Sequence, residues 1–217
     1  MTLTMKCTLL ASLTIMVAAL TVAASAAPAA YSSKDFSRLK GMPGFSDQAL
    51  DLHFTLYQGY VKNTNVLLEN LSKIAANTPA YAEMKRRLGW EYNGMRLHEL
   101  YFGNLGGDGN IPPNSRIAKR LVEQFGSLKA WSDDFKATGA MRGIGWVVLY
   151  EDPATGRLIN TWINEHDVGH LSGGRPLLVM DVFEHAFIPD YGLKRAEYIE
   201  AFFKNIDWPA VESRLGQ

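Results

Sequence analysis

Apolar residues at helical spacing form the longest pattern in the chain. Leu50, Phe54, Tyr57, Tyr60, Val61, Leu67, Leu68 and Leu71 recur every three to four positions. With Ser46-Asp47 as an N-cap, they predict a helix over 48–74. Gly41-Met42-Pro43-Gly44-Phe45 before it reads as a turn. A second helix is expected over 79–102, forming an antiparallel hairpin with the first. The glycine-rich stretch 103–114, ending in Ile111-Pro112-Pro113, marks a domain boundary. Helices follow over 115–125 and 128–139. After Gly143 the period changes, and Trp146-Val147-Val148-Leu149-Tyr150 reads as a strand. Asp152-Pro153-Ala154-Thr155-Gly156 is a turn, Leu158 to Ile163 the return strand, and Leu177 to Met180 a third strand ending at Asp181. Two helices, over 194–204 and 208–214, close the chain. The fold class is α+β: an N-terminal antiparallel helical hairpin over 45–110, then an α/β domain with a three-stranded antiparallel sheet over 111–217.

The first residues follow a different rule. Lys6 is the only charge in the opening stretch, Leu9 to Val22 is apolar, and Ala24-Ser25-Ala26 offers a small-x-small cleavage site. This is the pattern of a secretory signal peptide over 1–26, cut between Ala26 and Ala27. The expected location is therefore exported, periplasmic or secreted, with no membrane attachment after cleavage. Residues 27–44 are small and polar and are expected to form a flexible leader. The single cysteine, Cys7, leaves with the signal, so neither disulfides nor thiolate chemistry are expected in the remainder. Twenty-two basic and 22 acidic residues give a formal charge of zero. That balance argues against a nucleic-acid partner.

Chemistry concentrates late in the chain. In Asp181-Val182-Phe183-Glu184-His185-Ala186 a carboxylate and an imidazole four residues apart can reach one cation. The string continues as Phe187-Ile188-Pro189-Asp190-Tyr191 and, further on, Tyr198-Ile199-Glu200-Ala201-Phe202. Only five histidines exist: His53, His98, His166, His170 and His185. His98 precedes Glu99-Leu100-Tyr101-Phe102, and His53 precedes a segment running Tyr60-Val61-Lys62-Asn63-Thr64-Asn65.

From about Leu50 onward these stretches, with Gly143-Ile144-Gly145-Trp146, resemble the iron/manganese superoxide dismutases. The resemblance implies that His53, His98, Asp181 and His185 hold one iron or manganese ion per subunit. Three imidazoles and one carboxylate suit either metal in redox work, whereas zinc, which the set would also accept, cannot exchange electrons. It further implies superoxide anion as substrate and a homodimer with Glu184 and His185 at the interface. Tyr60 takes the place of the family's gateway tyrosine, with Trp146 and Phe183 as apolar walls. Arg195 matches a funnel arginine, an equal alternative being a surface pair with Glu197 or Asp190.

Three departures qualify this. The family's first ligand lies eight residues before the gateway tyrosine, but His53 lies seven before Tyr60. Seven steps of about 100° keep the face of a regular helix, and a one-residue bulge absorbs an eighth. Either His53 is the ligand on an unbulged helix, or Leu52 takes its place and leaves three ligands. The position four before His98, where some relatives carry a glutamine that bonds the water on the metal, is Gly94. The other source of that group, the loop after the second strand, offers His166, which we expect in the role together with Tyr60; His170 is given no part. Finally, a histidine and tyrosine that meet across the family's dimer interface are here Leu56 and Ile188. The expected activity is dismutation of superoxide to oxygen and hydrogen peroxide. The alternatives are an exported metal-binding paralogue without that activity, or one with altered oxygen or peroxide chemistry.

Overall fold

The computed structural model describes residues 29–216. The expected signal peptide over 1–26 lies outside them. Helix α1 is Asp47–Leu71 and α2 is Pro79–Gly103, antiparallel and closely packed. Ser46 caps α1 by accepting from the Ala49 amide, and Thr78 caps α2 from Tyr81, with Pro79 in the first turn. α1 ends three residues earlier than its apolar pattern suggested, in a turn after Leu71. Helices α3 (Arg116–Phe125) and α4 (Leu128–Gly139) are capped by Ser115 and Ser127.

The sheet has the order β2-β1-β3, all antiparallel, from β1 (Gly145–Glu151), β2 (Leu158–Asn164) and β3 (Arg175–Asp181). The central strand β1 is buried throughout, which explains its unbroken apolar run. Trp146 stands opposite Asp181 in the β1–β3 register, so the two side chains project from the same face. The α+β class and the helical hairpin are as the pattern predicted.

Two features differ. Helix α5 (Glu184–Tyr191) lies where no helix was expected. Pro189 inside it and the absence of a side-chain cap hide it from pattern reading. Helices α6 (Arg195–Phe203) and α7 (Trp208–Ser213) follow. The expected flexible leader is, over its described part, packed: Phe36, Leu39 and Met42 are buried in the core. Arg38 ties this segment down by donating to the carbonyls of Phe102 and Leu105. One continuous core joins the hairpin to the sheet, with Phe102, Trp146, Val179 and Tyr198 among its members. The core thus runs across the boundary expected near residue 110. Among the described residues no helix is long and apolar enough to cross a membrane.

Candidate metal centre

Four side chains from four elements converge under the sheet's end: His53 of α1, His98 of α2, Asp181 at the end of β3 and His185 of α5. One donor atom from each lies within 4.8 Å of all the others. The Asp181 Oδ2 is the hub, 3.2 Å from His53 Nε2, 3.1 Å from His185 Nε2 and 3.6 Å from His98 Nε2. Its other oxygen accepts from the Phe183 amide at 2.8 Å, and its carbonyl accepts from the Tyr198 hydroxyl at 2.6 Å. The carboxylate is therefore fixed with one free face.

The fit to a cation can be read from His98. Its Nδ1 lies 2.6 Å from the Gly94 carbonyl, an acceptor only, so Nδ1 carries the hydrogen. Its Nε2 is fully buried and has no hydrogen-bond partner. A lone pair aimed at a carboxylate in a dry site is costly unless something positive lies between them. Electrostatics agree. Burial lowers the pKa of His53, and burial with the nearby His53 holds His98 well below the usual imidazole range. Both stay neutral, as ligands must be. Burial opposes the charge on Asp181, but His185 and His53 outweigh it and hold the carboxyl far below its ordinary value. A largely buried set of three nitrogens and one carboxylate oxygen suits a first-row transition metal.

The register question resolves in favour of the histidine. α1 is a regular α-helix through this region, so the seven-residue step keeps His53 on the face of Tyr60. His53 is 5 % exposed, whereas Leu52 is 57 % exposed and points away from the site. The three-ligand arrangement with Leu52 is not what the fold builds.

Around the cluster stand aromatic walls. Tyr60 stacks on His98 with centroids 5.1 Å apart, and Trp146 meets His98 edge-on at 4.9 Å. Phe183 stacks on both His166 and His185. His166, brought in by the β2–β3 loop, is fully buried. Its Nδ1 accepts from the Trp146 indole N–H at 3.0 Å; since indole only donates, the remaining hydrogen sits on Nε2 and is donated to the Tyr60 hydroxyl at 2.8 Å. Burial pushes the His166 imidazole down to about 4, so it is neutral at neutral pH. Burial, then the charges of Asp181 and Glu91, push the Tyr60 hydroxyl well above its ordinary value.

A profile of the iron/manganese superoxide dismutases, C-terminal domain, matches residues 113–214. The iron superoxide dismutase of Aquifex pyrophilus is 38 % identical over 191 residues, covering 84 % of this chain and 89 % of that protein. The chain belongs to the iron/manganese superoxide dismutase family. A manganese superoxide dismutase of Haloferax volcanii is 35 % identical over 178 residues (81 % of this chain, 89 % of that one). The iron superoxide dismutase of Cupriavidus metallidurans is 35 % identical over 180 residues (80 % and 90 %).

Within that family's framework some residues hold surprises. Arg195 donates to the carbonyls of Met141 and Gly143 and lies over the Phe187 ring, 5.0 Å from its centroid. It braces the approach to β1, and it is Lys194 that pairs with Glu197. Trp90 was not anticipated: its ring meets His166 edge-on at 4.8 Å, and the Arg87 guanidinium lies over the Trp90 ring. It sits eight residues before His98 on α2, with Gly94 midway, so helical spacing alone could have found it. Gly94 itself is contacted by Tyr60, whose ring occupies the space a larger side chain would take.

Proposed function

We propose that this protein dismutates superoxide, two anions and two protons giving oxygen and hydrogen peroxide, with one iron or manganese ion per subunit. The observation that carries the reading is the convergence of His53, His98, Asp181 and His185, with an orphaned His98 Nε2 facing a fixed carboxylate. When bound, the ion supplies one-electron exchange by alternating between its trivalent and divalent states. The four residues would hold it: three imidazoles and one carboxylate leave most of the cation's charge to attract an anion.

The rest of the work is proton handling. Tyr60 receives a hydrogen bond from His166, so its own hydroxyl hydrogen is free to point at substrate or at water beside the cluster. With its ionisation pushed upward, Tyr60 stays a donor across neutral pH. His166, locked by Trp146, orients that hydroxyl and occupies the space next to the cluster without carrying a charge. Trp146, Phe183 and Trp90 exclude bulk water, which strengthens each of these bonds.

The same reading includes a homodimer. Glu184 is exposed, the His185 side chain is 29 % exposed, and Ile188 is 41 % exposed, so an apolar and acidic surface adjoins the cluster. It also includes export, supported by Lys6, the apolar run and Ala24-Ser25-Ala26. An N-terminus at Ala27 on protein recovered outside the cytoplasm tests that part.

The decisive experiment is superoxide consumption by the purified protein, reconstituted separately with iron and with manganese, with metal counted per chain. Activity near one metal per chain supports the reading, and the better metal identifies the cofactor. Stoichiometric metal without superoxide consumption overturns it.

A further inference from the structure

His166 and His170 lie four residues apart on the loop after β2. Trp146 and Tyr150 lie four residues apart on β1, hence on one face of the strand. The two pairs match rung for rung. Trp146 donates to His166 Nδ1 at 3.0 Å, and the Tyr150 hydroxyl lies 3.0 Å from His170 Nδ1. His170 Nε2 lies 2.9 Å from the His166 backbone carbonyl. A carbonyl only accepts, so the neutral His170 ring carries its hydrogen on Nε2 and accepts from Tyr150 at Nδ1. Both imidazoles are thus set in the same tautomer by an aromatic donor of one strand.

The loop needs such a hold. It turns sharply, with Glu165 at φ 52° and Gly169 at φ 108°, where an added Cβ would meet the Trp162 carbonyl at 2.6 Å. Asp167, Val168 and Gly169, between the two histidines, are exposed. The Asn164–Val168 backbone pair closes the turn but does not touch the His166 carbonyl.

We propose that His170 is a positioning residue for His166: the Tyr150–His170 bond fixes a ring whose Nε2–H clamps the His166 backbone, so that the His166 side chain spans Trp146 and Tyr60. The consequence for catalysis rests on the dismutase reading above; the clamp itself does not. His170→Phe removes the donor, while His170→Gln keeps an amide able to reach the carbonyl. The test uses the full mature chain loaded with zinc as a diamagnetic probe, with ¹⁵N-labelled histidine rings observed by NMR, and the iron- or manganese-loaded protein for turnover. In His170→Phe the His166 Nε2–H exchanges with water about tenfold faster and turnover falls about tenfold, at unchanged metal per chain. His170→Gln restores both. If His170→Phe does not fold, His170→Asn, one methylene too short for the carbonyl, takes its place with the same expectation. His166 ring signals and exchange identical to wild type in these variants overturn the proposal. Should the wild type bind metal without consuming superoxide, the functional reading falls while the ring spectra still decide the clamp.

Discussion

One methyl group at Gly94 probes the centre more sharply than any ligand deletion. In a helix interior, Ala in place of Gly favours the helix by about 1 kcal/mol. Here the added Cβ would lie 2.6 Å from Tyr60 Cδ1, 2.8 Å from Cε1 and 3.0 Å from Cγ. Carbon atoms settle at about 3.5–4.0 Å, so the ring must withdraw by about 1 Å. It is stacked on His98 and bonded to His166 at 2.8 Å. A withdrawal of that size away from His166 stretches the bond to about 3.8 Å, beyond hydrogen-bonding range. Overpacking costs about 1–3 kcal/mol, which exceeds the helix gain and leaves a net loss of about 1 kcal/mol. For a chain of this size that is a fall in Tm of about 2–4 °C. The effect on catalysis is larger, because a 1 Å misplacement of a reacting group costs up to about 100-fold. Gly94→Ala is expected to keep its metal, melt slightly lower and consume superoxide at least about tenfold more slowly. Metal analysis, calorimetry and stopped-flow decay of superoxide on one preparation check all three. A variant as active as wild type, or stabilised by the whole helix gain, would refute the claim that Tyr60 is held where catalysis needs it.

Other perturbations separate the parts. His53→Ala should lose bound metal, while Leu52→Ala, on an exposed face, should leave metal per chain unchanged; equal loss in both would contradict the register described. Because His166 is pushed down to about 4 in the folded chain and sits near 6.5 unfolded, the unfolded state binds the extra proton between those values. Stability is therefore full above about pH 6.5 and falls as pH drops toward 4, by about 3 kcal/mol in total. Urea unfolding at pH 7 and pH 4 should show a loss smaller by about 3 kcal/mol in His166→Gln than in the wild type, the remainder belonging to other buried groups such as His53 and His98, whose pKa values are also lowered. Asn104 is fully buried; its amide donates to the Tyr101 and Val179 carbonyls, and its oxygen accepts from the Val179 amide and Arg214. Asn104→Ala strands those groups at a cost of about 3 kcal/mol, seen as a Tm lower by roughly 10 °C. A fall under about 3 °C would mean water replaces the amide.

Most of the fold was legible because its elements carry one clear period each. The eight apolar positions from Leu50 to Leu71 allow only a helix, and the continuous run from Trp146 to Tyr150 suits a central strand. Helix α5 was not legible because its residues serve the cluster and Pro189 argues against a helix. The packed segment before α1 was hidden for a related reason: Phe36, Leu39 and Met42 are thinly spread among serines, lysines and glycines. In the centre, four side chains could be named from motif strings, but helix phase decided between Leu52 and His53. A one-residue difference in spacing is a rotation of about 100°, and only a continuous helix says which residue it brings inward. His170 gave no signal, since its partners depend on how a turn of strained residues closes.

The packed segment ahead of α1 also sets an order of events. Its partners all come later: Arg38 waits for Phe102 and Leu105, Pro43 for the Asn205 amide, Gly44 for the Tyr191 hydroxyl, and Ser46 for the Asp190 carboxylate. A chain that emerges amino end first holds these residues only by short-range bonds, such as those of Ala49 to Ser46 and of Gly41 to Asp47. Arg38 finds its partners 64 and 67 positions on, but Pro43, Gly44 and Ser46 wait for residues 144 to 162 positions away, contacts of the kind that form slowly. The segment from Arg38 to Ser46 is thus among the last parts to settle, and its docking closes the assembled hairpin and sheet like a latch.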